Sequence, residues 1–307
     1  MRTKFISTLT QLAETDVRIY LLVGDLGYSV VENFKVKFPN RFFNMGVAEQ
    51  NMMGVAAGLA LSGNIVFTYS FGNFTTFRCL EQIRNDICYH NLDVKLIGIG
   101  TGFSYGTLGM THHGTEDLAV MSVLPNMTII TPCDPVEMEL AIKASVAWKG
   151  PCYIRVRRTG EPVIHRSIPD FKIGKGIVVK DGDDLTLIAT GWIINNVIKA
   201  AKMLESENIN ARIISMHTVK PLDETLILES ARKTRGIITV EDQNVAGLGS
   251  AVGTTLASSR QNNVPFIAMG LTQNYSYDVG SEEYHLKKSN LSPEAIYHSA
   301  KQILTGH

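Results

Sequence analysis

Gly46-Val-Ala-Glu-Gln-Asn-Met-Met-Gly-Val-Ala-Ala-Gly-Leu-Ala60 runs through Leu61-Ser-Gly-Asn64 into Ile65-Val-Phe-Thr-Tyr-Ser70. The first part is apolar and small on every side at helical spacing, which predicts a helix over Val47–Ser62 that is buried all round. The second part is apolar on both faces and predicts a strand over Ile65–Ser70 buried in the middle of a sheet. Helix followed directly by a two-faced buried strand is the pattern of an α/β fold. One residue breaks it. Glu49 stands at the mouth of the helix, and a carboxylate is rarely buried without a partner. Either it is a first-turn acid on a solvated helix end, favoured by the helix dipole, or it is held inside for its chemistry.

The same alternation extends in both directions. Strand-like Val17–Gly24 precedes the segment, and helix-like Phe74–His90 follows it. Strands are expected at Val94–Gly98, Met127–Thr131 and Cys152–Val156, with a helix after Pro135. Around Thr159-Gly-Glu-Pro-Val-Ile-His-Arg-Ser-Ile-Pro169 periodicity is lost and Pro and Gly accumulate, which marks an exposed linker. A second set then begins: strand Leu185–Thr190, helix Asn195–Glu207, strand Ala211–Ser215, helix Asp223–Thr234, strand Gly236–Glu241, helix Gly249–Ser258, strand Pro265–Met269 and a closing helix Pro293–Leu304. The expectation is two α/β domains, residues 1–165 and 166–307, each a mostly parallel sheet with helices on both faces.

Lys plus Arg and Asp plus Glu number 29 each in 307 residues, so no net field draws the chain to nucleic acid or an acidic membrane. No run approaches the roughly 18 consecutive apolar residues of a membrane span. The apolar run at the start is broken by Ser7, Thr8 and Gln11 before a signal-peptide core can form. Cys79, Cys88, Cys133 and Cys152 form no C-x-x-C pair and sit in apolar contexts, which reads as reduced core residues in a cytoplasmic protein.

In open α/β sheets, ligands lie beyond the carboxyl ends of the strands, so residues following strands are the site candidates. Asp25 ends the first strand between glycines, where it serves a site or makes a turn with its own backbone. Phe71, Phe74 and Phe77, spaced i, i+3, i+6 after the strand ending at Ser70, are either core or the wall of a pocket for a flat heteroaromatic ring. The glycine-rich loop Gly98–Asp117 carries His112 and His113, which as neighbours do not easily face one metal ion; proton transfer or oxyanion contact is the preferred role for His112. Arg155 and Arg157 share a strand face and Arg158 lies at its exit, placed to clamp a phosphate or to form surface ion pairs. Lys180-Asp-Gly-Asp-Asp184 imitates part of a magnesium-diphosphate motif and is read as a turn.

Taken together, these residues resemble the C-terminal half of transketolases. The Glu49 segment resembles the family's glutamate motif, and Ser70-Phe-Gly-Asn-Phe-Thr-Thr-Phe77 its aromatic pocket. Gly109-Met-Thr-His-His113 is similar to its Gly-Pro-Thr-His element, with Met110 in place of proline. Leu124-Pro-Asn-Met127, Thr131-Pro-Cys-Asp-Pro135, Val219-Lys-Pro-Leu-Asp223 and Val240-Glu-Asp-Gln-Asn-Val-Ala-Gly-Leu-Gly-Ser250 follow in the same order. The resemblance implies a pyrimidine-binding domain followed by the transketolase C-terminal domain. It also implies thiamine diphosphate as cofactor, with its diphosphate and Mg²⁺ held by a separate N-terminal subunit that carries the Gly-Asp-Gly motif this chain lacks, and an α₂β₂ heterotetramer.

Carried over residue by residue, the resemblance makes Glu49 the acid that bonds N1′ of the aminopyrimidine, desolvated and with raised proton affinity. Phe74 becomes the ring's stacking partner beside Phe71 and Phe77, and Asp25 a neighbour of the thiazolium. His112 would contact substrate oxygens, and Arg158 a sugar phosphate. Leu108 stands where many transketolases carry an Asp for the substrate's α-hydroxyl, and a phosphate-binding histidine is replaced near Gly100, so an unusual sugar acceptor is in view. The implied activity is transfer of a two-carbon ketol unit from a ketose or ketose phosphate to an aldehyde. The alternatives are a β subunit of a 2-oxo-acid dehydrogenase, a relative of 1-deoxyxylulose-phosphate synthase, or a subunit that kept the fold and lost the chemistry.

Overall fold

The computed structural model of the chain describes residues 1–158, 160–259, 264–271 and 274–305. Its strands are β1 (Ile19–Val23), β2 (Phe42–Asn44), β3 (Ile65–Phe71), β4 (Val94–Ile99), β5 (Thr128–Ile130), β6 (Cys152–Val156), β7 (Ile177–Lys180), β8 (Leu185–Ala189), β9 (Ala211–Ser215), β10 (Thr218–Lys220), β11 (Ile237–Asn244) and β12 (Phe266–Leu271). They form a seven-stranded sheet in the order β10-β5-β6-β4-β3-β1-β2 and a five-stranded sheet in the order β12-β11-β8-β9-β7. Every pairing is parallel except at one edge of each sheet, where β10 and β7 run antiparallel to β5 and β9.

Two-faced burial in the strands is what makes the first sheet a middle layer. Alternate side chains of a strand point to opposite faces. Leu21 and Val23 therefore enter one core with Phe5, Leu9, Met138 and Ile142 of the helices Arg2–Thr15 and Pro135–Ala147. Leu22 enters the other, with Met52, Met53 and Ala56 of the helix Glu49–Leu61 and with Ile83, Leu118 and Met121. The second sheet repeats the plan, with Val197 and Leu204 of one helix on one face and Val252 and Leu256 of another on the opposite face.

Three expectations change. The helix Glu49–Leu61 is buried on one face, while Val55 and Leu61 are exposed on the other, so its apolar character all round is not matched by burial all round in the single chain. The helix expected over Phe74–His90 is three pieces, Gly72–Thr76, Leu80–Gln82 and a π-helical turn Ile83–Cys88. Wider turns of this kind insert a residue into a helix and often mark functional sites. Finally, β10, from the second half of the chain, completes the edge of the first sheet, with Thr218 opposite Ile130.

The two halves are also joined by buried charge. Arg155 on β6 donates to Asp117 Oδ2 at 2.8 Å, to Asp242 Oδ1 on β11 at 2.9 Å and to the Gly114 carbonyl at 3.1 Å. Asn244 N donates to the Thr115 carbonyl at 2.8 Å, and Leu118 N to Gln243 Oε1 at 3.2 Å. The end of β11 thus braces the loop that carries His112. The residues Asp181, Asp183 and Asp184, between β7 and β8, pair with Arg212, Lys233 and Arg235, as fits a turn. The four cysteines are buried and free. Among the described residues no helix is long and apolar enough to cross a membrane.

Candidate active site

The carboxyl ends of β1, β3, β4 and β6 open onto one edge of the first sheet, the place where parallel sheets collect ligand-binding groups. Glu49 opens its helix there with its side chain 1 % exposed. Ser70 Oγ, at the end of β3, donates to Glu49 Oε1 at 3.1 Å. Arg78 Nη1 donates to Glu49 Oε2 at 2.6 Å. The approach is tight, since a Cβ on Gly24 would stand 3.0 Å from Ser70 Oγ and 3.4 Å from Glu49 Cγ. Glu49 is therefore buried, but it is not isolated in apolar surroundings as the helix alone suggested.

Beside it lies an aromatic group. Phe71 meets Phe74 edge-on at 5.3 Å between ring centroids, and His112 packs against both, at 5.0 and 5.3 Å. The Arg78 guanidinium lies over the Phe74 ring, 4.1 Å from its centroid. A flat, N–H-bearing group thus already fits between Phe74 and the Glu49 carboxylate. Phe77 sits apart from this cluster, 41 % exposed, and lines an open cavity of about 1030 Å³ with Phe74 and Arg78. Tyr275, Asp278 and Lys288 also line that cavity, and Glu49 is not among its lining residues.

The loop Gly98–Asp117 is ordered by the bridge Gly102↔Gly114 and two 3₁₀ turns, Gly106–Leu108 and Met110–His112. Its two histidines part company. His113 is buried between Phe103 and His285, whereas His112 is half-buried with Nδ1 3.0 Å from Thr111 Oγ1. Burial, and then the neighbouring His113, hold the His112 pKa below its ordinary value, so its ring is neutral at neutral pH and can both accept and donate a hydrogen bond.

Of the three arginines, Arg155 is committed to the interior and Arg157 to Glu282 and the face of Trp192. Arg158 is exposed, lies over the Tyr105 ring at 5.1 Å, and has no carboxylate partner among the described residues. Gly100, with φ +74°, has no room for a side chain, because a Cβ there would lie 2.0 Å from the Tyr105 ring. Tyr105 takes that space, packed against Phe71 at 5.0 Å. Leu108 is 52 % exposed. Asp25, at φ +53°, is exposed and exchanges two hydrogen bonds with the Asn44 side chain, at 3.0 and 3.2 Å, in place of a turn with its own backbone.

Sequence reasoning did not single out Arg78 or Tyr105. The signals were present: a base one helical turn after Phe74, and a large ring in a loop whose Gly100 leaves it room. It also passed over Cys133, Glu137 and His165, close enough together to hold a metal ion. In this structure Glu137 is instead bonded by His165 at 2.8 Å, Ser215 at 2.7 Å and Cys133 N at 2.8 Å.

The fold and this site define a two-domain α/β protein with a buried carboxylate and an aromatic wall at the carboxyl edge of its first sheet. Residues 1–160 match the family model described as transketolase, pyrimidine binding domain, and residues 174–296 that of the transketolase C-terminal domain. A transketolase C-terminal section from Methanocaldococcus jannaschii is 38% identical, covering 99% of this chain and 95% of that protein. A 6-deoxy-6-sulfo-D-fructose transketolase subunit from Clostridium sp. is 35% identical over 99% of this chain and 94% of its own length. Human transketolase is 34% identical over 97% of this chain, which spans 48% of the human protein. A solved structure described as a split gene transketolase, inactive beta4 tetramer, superposes with a TM-score of 0.91 at 38% identity, covering 99% of this chain and 98% of that one. The chain belongs to the transketolase family.

Proposed function

We propose that this chain is the pyrimidine-binding subunit of a split, thiamine-diphosphate-dependent transketolase that moves a two-carbon ketol unit from a ketose or ketose phosphate to an aldehyde. The observation that carries this reading is the slot between Phe74 and the buried Glu49, which already accepts a flat, hydrogen-bond-donating group. When bound, thiamine diphosphate supplies the electron sink that lets the bond beside a ketose carbonyl break.

Glu49 would hold the cofactor's aminopyrimidine through a hydrogen bond from its buried carboxyl, with Ser70 fixing Oε1 so that the carboxyl cannot rotate away. Phe74 would stack on the pyrimidine, supported by Phe71 at 5.3 Å, while Phe77 on the cavity wall and Asp25 would stand near the rest of the cofactor. His112, neutral and in contact with Phe71 and Phe74, shuttles a proton at the substrate's oxygen atoms. Arg158 gives an exposed cation for a substrate phosphate. The Tyr105 ring at Gly100 and the apolar Leu108 narrow the choice of sugar.

Mg²⁺ and the diphosphate would be held by an N-terminal partner subunit in an α₂β₂ assembly, to which the exposed apolar Val55 and Leu61 are available. Four free, buried cysteines support a cytoplasmic location. A subunit of a 2-oxo-acid dehydrogenase, by contrast, would release carbon dioxide from a 2-oxo acid.

A cofactor titration tests the reading. Thiamine diphosphate with Mg²⁺ is expected to bind the assembled complex, and Phe74→Ala to weaken that binding about threefold to tenfold through lost ring contact. Unchanged affinity in the Phe74 variant contradicts the placement of the ring.

A further inference from the structure

Building on that reading of the site, we propose that Arg78 takes the seat that the cofactor's aminopyrimidine would take, and that the cofactor binds by displacing it. Arg78 makes both contacts assigned to the ring. Its Nη1 donates to Glu49 Oε2 at 2.6 Å, and its guanidinium lies 4.1 Å from the Phe74 ring centroid. One planar cation is thus hydrogen-bonded at its edge to the carboxylate and stacked by its face on the aromatic wall. Both contacts cannot be shared with a second flat group on the same side of Phe74.

The buried Glu49 carboxylate needs such a group. Ser70 satisfies one oxygen of Glu49, and the other would be buried without a donor if Arg78 were absent. Arg78 is also built to leave. Its side chain is 41 % exposed, unlike that of Arg155, which is 4 % exposed and enclosed by Asp117, Asp242 and the Gly114 carbonyl. It lines the open cavity, whose walls include the carboxylate-bearing Glu116 and Asp278, so a guanidinium swinging off Glu49 moves towards solvent and other acids. The stem is long and flexible, and the exchange asks for side-chain rotation alone. Arg78 therefore sets cofactor affinity without being needed to hold the cofactor, and it shields Glu49 until the ring arrives.

The test uses the full chain assembled with its N-terminal partner and Mg²⁺. Thiamine diphosphate is titrated by calorimetry into wild type, Arg78→Ala and Arg78→Lys, and the loaded wild-type complex is solved. Removing a half-exposed ion pair and a cation–π contact that the ring must otherwise break is expected to tighten binding about tenfold in Arg78→Ala. Arg78→Lys should fall between, and the loaded structure should show the guanidinium off Glu49. Equal or weaker binding by Arg78→Ala, or a loaded complex with Arg78 still on Glu49, overturns the inference. Should Arg78→Ala fail to fold, Arg78→Lys and the loaded wild-type structure decide it. Absence of any binding by wild type overturns the functional reading itself, and this inference with it.

Discussion

Glu49→Gln in the assembled complex is expected to lower kcat for ketol transfer about a hundredfold or more, the scale of a lost general acid–base contribution. Glutamine keeps the shape of the side chain and can still accept from Ser70, which bonds Oε1 at 3.1 Å. It has no titratable proton, so it cannot exchange one with the ring nitrogen. The loss should therefore fall on kcat, with cofactor affinity changed far less. Fold retention is checked by the melting temperature: Arg78, already 41 % exposed, is freed to solvent and leaves no buried cation behind. A kcat within about threefold of wild type would remove Glu49 from the chemistry.

The second large effect is on stability. Arg155→Met should destabilise the chain by about 3–5 kcal/mol, because it leaves two buried carboxylates without their cation. Asp117 Oδ2 would retain the Tyr153 hydroxyl at 2.6 Å, but its Oδ1 has no hydrogen-bond partner among the described residues even now. Asp242 would lose the guanidinium 2.9 Å away that ties β11 to β6. Charges this well enclosed hold the Arg155 pKa above its already high ordinary value, despite the opposing cost of burial, so the guanidinium is charged at every accessible pH. Denaturant unfolding should show the loss, and Arg155→Met combined with Asp117→Asn and Asp242→Asn should recover part of it. A change below about 1 kcal/mol in the single variant would mean that the cluster is not what joins the two halves.

Which features could be read from sequence follows from the range of the forces involved. β6 and β9 fall at Cys152–Val156 and Ala211–Ser215, as their apolar runs indicate, because burial on both faces of a parallel strand writes itself locally. β10 is three residues long and exists by pairing with β5, a contact no local pattern records. The break of the expected helix after Phe74 into a π-helical turn is likewise a tertiary outcome.

At the site, Glu49 was legible because a carboxylate contradicts its apolar segment. Its partner Arg78 lies 29 positions on and is ordinary in its own surroundings. The spacing of Phe71, Phe74 and Phe77 suggested one stripe. The chain instead turns from β3 into a short helix there, leaving Phe71 and Phe74 around His112 and Phe77 facing the cavity. The resemblance put a replaced histidine near Gly100, and no local pattern told that the Tyr105 ring fills the space there.

The most direct measurement is ketol transfer from a ketose donor to an aldehyde acceptor, with thiamine diphosphate and Mg²⁺, by this chain, by its N-terminal partner, and by the two mixed. Neither polypeptide is expected to transfer alone, whereas the mixture is expected to do so without release of carbon dioxide. Transfer by this chain alone, or a mixture that decarboxylates 2-oxo acids and leaves ketoses untouched, would contradict it.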